Sequence, residues 1–230
     1  GRLSEGRAEP VAAGDPAALP VVSCGHIARS LSCVIVDPPS RSEQPDGFVG
    51  EIWLQGDNVG RGYWGRAEET AHTFGGRLAA TNEAGGHASG ATLDRAWLRS
   101  GDLGFYLEGE LYVVGRLADL VVVSGRSHYP HDIEATAASA SPLVRRGYIA
   151  AFTVPGEPLE RLVIVAERAT GTARADPAAA VAEIRTAVED RHGLPVADVR
   201  VVPAGSIPRT TSGKLARLAC RDAYVAGAFG

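Results

Sequence analysis

The sequence predicts an α+β fold in which a mostly β first part is followed by a smaller part of mixed helices and strands. Before residue 115, short runs of β-branched and aromatic residues are closed by glycine, proline or aspartate, as is typical of strands and turns. From residue 115 onward, strand patterns alternate with helical ones. With 230 residues, the chain is long enough for two modest domains. We therefore predict a β-rich region over 1–114 and an α+β region over 115–230.

The first region is predicted to contain a loop, two strands, a short helix and a second loop. Residues 1–20 are rich in Gly, Pro, Ala and charge without an apolar period, which indicates a loop. Strands are expected at 31–36 and 51–55, because each run is apolar and ends at turn-forming residues. A helix is expected over 67–74, followed by a glycine-rich loop over 75–90.

A hairpin is predicted next, from strands at 103–106 and 111–114 that are joined by residues 107–110. Asp102 and Arg116 each lie seven residues from Gly109. Pairing about this turn should therefore place the carboxylate and the guanidinium side by side at the open end of the hairpin.

The second region is predicted to alternate between strands and helices. Its clearest helix runs over 177–191, where Val181, Ile184 and Val188 recur at spacings of three and four. Asp176 is suited to cap this helix, and Pro177 fits its first turn. The remaining expected elements are strands at 120–123, 148–154, 162–166 and 199–202 and helices at 132–139 and 215–226.

Composition and charge argue against several classes of protein. The net charge of −4 disfavours nucleic acid or an anionic membrane as a partner, and no apolar run is long enough to span a membrane. The three cysteines lack metal-type spacing, which indicates a reduced, cytoplasmic protein without structural zinc. His128 and His131 flank a proline, so we expect no zinc site there. Because the chain starts at Gly1, we expect it to be a piece of a longer protein.

Lys214 is the only lysine in the chain, beside 22 arginines. Lysine presents a compact charge on a flexible stem, whereas the guanidinium of arginine is a rigid planar fork. A phosphate-binding P-loop needs a glycine six residues before the lysine and a Ser or Thr after it, but Pro208 and Leu215 occupy those positions. Two interpretations remain: a mobile cation presented to a ligand held elsewhere, or a lysine without a function.

Two further residues are candidates for binding a nucleotide. Asp102 follows Gly101, so its carboxylate is accessible for bonding to both hydroxyls of a ribose. Arg116 is suited to hold a ribose or phosphate oxygen. The alternative is a surface ion pair between Asp102 and Arg116, worth about 0.2–1 kcal/mol.

Taken in order, these segments resemble the adenylate-forming superfamily of acyl-CoA synthetases, adenylation domains and luciferases, and within it the fatty acyl-AMP ligases in particular. The resemblance is carried by GEIW at 50–53, GYW at 62–64, WLRSGDLGF at 97–105, GELYVVGR at 109–116, GRSHYPHDIE at 125–134 and PRTTSGK at 208–214. An early segment, LSEGRA at 3–8, is similar to the end of an insertion that marks these ligases.

The resemblance implies that residues 1–114 are the tail of a large domain and that 115–230 form a mobile C-terminal lid. Asp102 would bind the ribose hydroxyls, Val113 would pack near the nucleoside, Arg116 would contact ribose or phosphate, and Lys214 would be the catalytic lysine. ATP and Mg²⁺ are the implied cofactors, and an upstream region outside this chain would bind most of both.

The resemblance also implies the reaction and the partners. A fatty acid would react with ATP to give acyl-AMP and pyrophosphate, and the acyl group would pass to an acyl carrier protein of a polyketide or peptide synthase. The segment GRSHYP at 125–130 resembles a signature of this subfamily. The piece alone is expected to be inactive.

One position departs from the family, which usually has Lys or Asp at the hinge where Ala118 stands. Alanine can adopt hinge backbone angles but offers no polar side-chain contact. Two alternatives to the ligase stay open. One is a fatty acyl-CoA synthetase; the other, which Ala118 and the missing upstream region motivate, is a non-catalytic module that docks a carrier protein or regulates a partner.

Overall fold

The computed structural model describes the chain apart from residues 1, 2, 4, 5, 13, 16, 17, 19, 84, 89, 90, 92, 93, 124, 125 and 157–159 and the side chain of residue 126. It divides into two compact units, Gly1–Ala118 and Asp119–Gly230. The sequence predicts the boundary between the two regions at residues 114 and 115, at the end of the predicted hairpin.

The first unit is built on a four-stranded antiparallel sheet. Its strands follow one another in chain order, β1-β2-β3-β4. The elements are β1 (Leu31–Val36), β2 (Gly50–Gly56), helix α1 (Ala67–Phe74), β3 (Leu98–Leu107) and β4 (Glu110–Arg116). Alternate residues of β1 point to opposite faces, so that Cys33 and Ile35 join one buried cluster while Val34 and Val36 join another with Trp53.

The hairpin of β3 and β4 contains two backbone features that set its register. Glu108 and Gly109 both have positive φ, at 52° and 79°, as a two-residue type I′ turn requires. Such a turn alone would pair Asp102 with Gly115. The register shifts by one residue between Leu103 and Gly104, and this β-bulge brings Asp102 opposite Arg116. The predicted pairing is confirmed, although it arises from the turn and the bulge together.

The second unit packs helices on both faces of a three-stranded sheet. Its elements are β5 (Val121–Val123), β6 (Arg126–His128), α2 (Pro130–Ala140), β7 (Val144–Val154), β8 (Arg161–Arg168), α3 (Pro177–His192), β9 (Val196–Val202) and α4 (Arg217–Val225). Strands β7 and β8 are antiparallel, and β8 and β9 are parallel and connected through α3. Strands β5 and β6 form a separate two-stranded sheet.

Alternation along β8 explains the two buried layers of the second unit. Leu162 and Ile164 face a cluster that includes Ile184 of α3, whereas Val163 and Val165 face a cluster that includes Cys220 of α4. A strand covered on both faces reads as a continuous apolar run, which is how β8 appears in the sequence.

The α+β class predicted from the sequence is confirmed, and the differences concern element ends and the presence of strand β6. Asp176 caps α3 by accepting from the Ala178 amide at 2.9 Å, as predicted. Strand β6 was not predicted. Helix α4 begins at Arg217 rather than at 215, because Leu215 pairs with Arg209 across a loop. Among the described residues, no helix is long and apolar enough to cross a membrane.

Candidate functional site

The first group of candidate residues lies at the open end of the β3–β4 hairpin. Arg116 donates from Nε to Oδ1 of Asp102 at 3.1 Å, and the two side chains are 70% and 38% exposed. Among the described residues, this is the only polar contact that either side chain makes. Oδ2 of Asp102 and both terminal nitrogens of Arg116 therefore stay available to a ligand.

A buried carboxylate supports the backbone before Asp102. Glu51 on β2 is only 2% exposed, and it accepts from the Gly101 amide at 3.2 Å, from the Trp53 indole at 2.8 Å and from the Arg99 guanidinium at 3.3 Å. Sequence reasoning missed this role of Glu51. The available signal was a carboxylate inside an otherwise apolar strand, because a buried charge needs partners.

Val113 lies on the same hairpin, opposite Gly104, and is 43% exposed. The bulge leaves both Val113 and Arg116 exposed, although they are three positions apart. An exposed apolar side chain near a carboxylate and a guanidinium with free bonding capacity fits a nucleoside, whose base is apolar on its faces and whose ribose carries two hydroxyls.

Lys214 lies in the second unit, in a loop whose backbone is closed on itself. Thr210 donates from its amide to the Lys214 carbonyl at 2.8 Å, and the Lys214 amide donates to Oγ1 of Thr210 at 3.0 Å. Gly213 adopts φ of 79°, a left-handed conformation that favours glycine. The lysine side chain is exposed, and no described residue contacts its ammonium group.

Arg209 fastens the Lys214 loop to the start of β7. Its guanidinium donates to the carbonyls of Gly213, at 2.5 Å, and Gly147, and it lies 3.7 Å from the centroid of the Tyr148 ring. Arg145 lies 3.4 Å from the same centroid. One ring face cannot hold two guanidinium groups at these distances, so the ring is sandwiched between them.

The remaining predicted features are located as follows. Ala118 is the last residue of the first unit and belongs to a 3₁₀ turn, Leu117–Asp119. Residue 125 and the side chain of residue 126 from the segment 125–130 lie outside the described residues, as do residues 4 and 5 of the segment 3–8. No group of three or more His, Cys, Asp or Glu side chains within the described part of the chain could hold a metal ion.

Curated relatives match nearly the whole chain. The long-chain-fatty-acid–AMP ligase FadD32 of Mycolicibacterium smegmatis is 45% identical over 249 residues, which covers 99% of this chain and 39% of the relative. The long-chain-fatty-acid–AMP ligase FadD28 of Mycobacterium tuberculosis is 42% identical over 228 residues, covering 96% of this chain and 37% of the relative. FadD21 of Mycobacterium bovis, provisionally named a fatty-acid–CoA ligase, is 43% identical over 210 residues, covering 89% and 34%. The chain thus spans less than two fifths of the length of these relatives.

Solved structures with a similar fold include adenylate-forming enzymes. A fatty acyl-adenylate ligase, from a study of the E. coli and L. pneumophila enzymes, has a TM-score of 0.75 at 25% identity, covering 99% of this chain and 36% of that one. ATP-bound MatB from Rhodopseudomonas palustris has a TM-score of 0.67 at 27% identity, covering 88% and 35%. No protein-family model matches the chain. From the similarity along 99% of its length, the chain belongs to the fatty acyl-AMP ligases of the adenylate-forming superfamily and corresponds to a C-terminal part of them.

Proposed function

We propose that this chain supplies the nucleoside-contacting hairpin and the catalytic lysine of an enzyme that activates a fatty acid as acyl-AMP. The observation that carries the proposal is the position of Lys214, the only lysine of the chain. Its side chain is exposed and no described residue contacts its ammonium group, while the backbone of its loop is fixed by hydrogen bonds. Such a group can bring a charge to a ligand without first breaking a contact.

Lys214 would act on the transfer of the adenylyl group. A carboxylate oxygen of the fatty acid attacks the α-phosphorus of ATP, the bond to the β-phosphate oxygen breaks, and pyrophosphate leaves. Negative charge is concentrated around the α-phosphorus as the two anions meet, and an ammonium placed there stabilises it. One such contact is worth about 3–4 kcal/mol, or roughly 10²- to 10³-fold in rate.

The hairpin would hold the nucleoside. Oδ2 of Asp102 can accept from ribose hydroxyls, and the terminal nitrogens of Arg116 can donate to ribose or phosphate oxygens. Val113 would cover an apolar face of the nucleoside. Magnesium would be held mainly by a region upstream of this chain, as the resemblance to the family implies.

The acyl group would then pass to a thiol. The thiol loses its proton to solvent, the sulfur attacks the acyl carbonyl carbon, the bond from that carbon to the phosphate oxygen breaks, and AMP leaves. We assign the thiol to the phosphopantetheine of an acyl carrier protein, the acceptor that the resemblance to the fatty acyl-AMP ligases implies. The relatives matched along 99% and 96% of the chain are named for AMP and not for coenzyme A. Coenzyme A is the second candidate, because FadD21 carries a fatty-acid–CoA ligase name at 43% identity.

Product analysis tests the proposal. The full-length protein that carries this chain is incubated with ATP, magnesium and fatty acids of several lengths, and acyl-AMP and pyrophosphate are quantified. Coenzyme A or a phosphopantetheinylated carrier protein is then added. Acyl-AMP followed by acyl transfer to the carrier protein is expected; acyl-CoA would favour the synthetase. Carrier-protein binding without pyrophosphate release on any acid would favour the docking module instead.

A further inference from the structure

Arg217 lies at the start of α4, three residues after Lys214, and its guanidinium is bound by two carboxylates. Nε and Nη2 donate to the two oxygens of Glu134 at 2.7 and 2.8 Å, and Nη1 donates to Oδ2 of Asp119 at 3.0 Å. The side chain is 23% exposed. Its two-point contact with Glu134 fixes the plane of the guanidinium, which a single contact would not do.

The two carboxylates connect Arg217 to different parts of the second unit. Glu134 belongs to α2 and also accepts from the Ala151 amide of β7 at 3.1 Å. Asp119 is 98 residues from Arg217 along the chain and is the first residue after Ala118. Arg217 therefore joins the start of α4 to α2 and to the first residue of its unit.

Lys214 and Arg217 are held in a fixed relation by the backbone between them. The Ala216 amide donates to the Pro208 carbonyl at 3.1 Å, and Leu215 pairs with Arg209. These contacts close the loop that carries Lys214 immediately before α4. A displacement of Arg217 would therefore displace the lysine as well.

The position of Asp119 gives this contact its functional meaning. Ala118, the predicted hinge, directly precedes Asp119, whose carboxylate forms an ion pair with Arg217. A rigid connection between a hinge and a functional group converts backbone rotation into a defined displacement of that group.

We propose that Arg217 is a positioning residue that fixes the Lys214 loop to the first residue beyond the predicted hinge, so that rotation at Ala118 carries the backbone of Lys214 with it. The proposal rests on the proposed function, because it requires Lys214 to act in adenylation. Neither Arg217 nor Asp119 touches the reacting atoms in this scheme.

Asp119→Asn is the most informative substitution. It weakens the contact to Nη1 and leaves the two-point contact of Arg217 with Glu134, so the fold of the unit is retained. The full-length protein is assayed for adenylation as Asp119→Asn, Lys214→Ala and the double variant. The matched control is Asp222→Asn, which neutralises an exposed carboxylate on α4, the helix that begins with Arg217. The Asp222 carboxylate lies 3.5 Å from the Arg221 guanidinium.

We expect Asp119→Asn to lower kcat about 3- to 30-fold, with the KM for ATP unchanged, and we expect no change in Asp222→Asn. Lys214→Ala should lower kcat about 10²- to 10³-fold, and adding Asp119→Asn to it should cost nothing further. If Asp119 and Arg217 had only a structural role, the double variant would lose kcat by the product of the two single decreases.

The outcomes separate the two proposals. Normal adenylation by Lys214→Ala contradicts the proposed function itself. Two results would refute the role of Arg217 and leave the proposed function standing, provided that Lys214→Ala is impaired. Either Asp119→Asn has normal activity, or Asp119→Asn lowers kcat by the same factor in the unsubstituted protein and in the Lys214→Ala protein. If Asp119→Asn raises only the KM for ATP, the role of Arg217 is likewise refuted.

Discussion

Two arginine–carboxylate contacts of the same chemistry lie in different surroundings in the two units. Arg116 makes one contact with Asp102 and is 70% exposed, whereas Arg217 makes three contacts with two carboxylates and is 23% exposed. The hydrogen bonds and the charge of the two carboxylates raise the pKa of Arg217 above its usual value. We expect exposure and unused donors, rather than the presence of an ion pair, to distinguish a ligand-contacting arginine from a structural one.

The local folds account for this difference. The Asp102–Arg116 contact is placed by a hairpin register at a sheet end, where solvent reaches both side chains. The Arg217 contacts form where α4, α2 and the start of the unit converge. A ligand can compete with water for the first arginine, but it would have to displace protein groups from the second.

The largest expected effect follows from removing Arg217. Arg217→Ala should lower the free energy of unfolding of the second unit by about 3 kcal/mol, because Glu134 and Asp119 would be left without their partner in a partly buried site. Denaturant unfolding of the full-length protein, followed by hydrogen exchange in α2 and β7, measures this loss. Arg221→Ala, on the exposed side of α4, is the control. If Arg217→Ala lowered the free energy of unfolding no more than Arg221→Ala does, Arg217 would not be the structural arginine described above.

Acid should also weaken the second unit, because burial lowers the pKa of His192 from 6.5 to about 4, with smaller contributions from His128 and Arg191. The neutral ring bonds to the Thr136 hydroxyl at 2.8 Å. The unfolded chain takes up the proton first, so the stability from this group is full above pH 6.5 and is lost as the pH falls to about 4. Full burial would make this loss about 3 kcal/mol; because solvent screens the half-buried ring, we expect a loss of about 2 kcal/mol across that window.

His192→Gln isolates this acid effect from that of the other titratable groups. Unfolding curves at several pH values should show a shallower decline for the variant between pH 6.5 and 4. An identical slope in both proteins would exclude His192 as the cause.

A smaller effect is expected at the Lys214 loop. Arg209→Ala removes the bonds to the Gly213 and Gly147 carbonyls, so the loop amides should exchange hydrogen about tenfold faster, which corresponds to about 1.4 kcal/mol in the free energy of local opening. Arg145→Ala removes the guanidinium on the other face of Tyr148 and should leave loop exchange unchanged. Equal acceleration in both variants would assign the effect to the ring rather than to the carbonyl contacts.

The smallest effect on stability is expected at the hairpin. Arg116→Ala should change the free energy of unfolding by less than about 1 kcal/mol, because the ion pair is exposed. The same variant should raise the KM for ATP of the full-length protein several-fold if Arg116 contacts the nucleotide. A large loss of stability with an unchanged KM would reverse the comparison with Arg217.

The sequence predicted elements with a strong local signal. The spacing of Val181, Ile184 and Val188, with Asp176 and Pro177 before them, defined α3 to within one residue of its end. Pairing of Asp102 with Arg116 was also predicted, but the count about Gly109 did not reveal the bulge that produces it, because a register shift depends on packing across strands.

The contacts that sequence reasoning missed join distant parts of the chain. Glu51 meets the Gly101 amide 50 residues away, and Arg217 meets Asp119 98 residues away. Local periodicity carries no information about such pairs. Both involve a charged residue within or beside an apolar segment, and this is the signal that a buried, partnered charge leaves in a sequence.

The central claim, that Lys214 promotes adenylyl transfer, is tested most directly by exchange of labelled pyrophosphate into ATP in the presence of a fatty acid. The full-length protein is compared with Lys214→Ala and Lys214→Arg, and ATP binding is measured in parallel. We predict that both variants bind ATP but lose exchange about 10²- to 10³-fold, since the planar fork of arginine does not replace a compact ammonium. Exchange at the rate of the unsubstituted protein in Lys214→Ala would contradict the account.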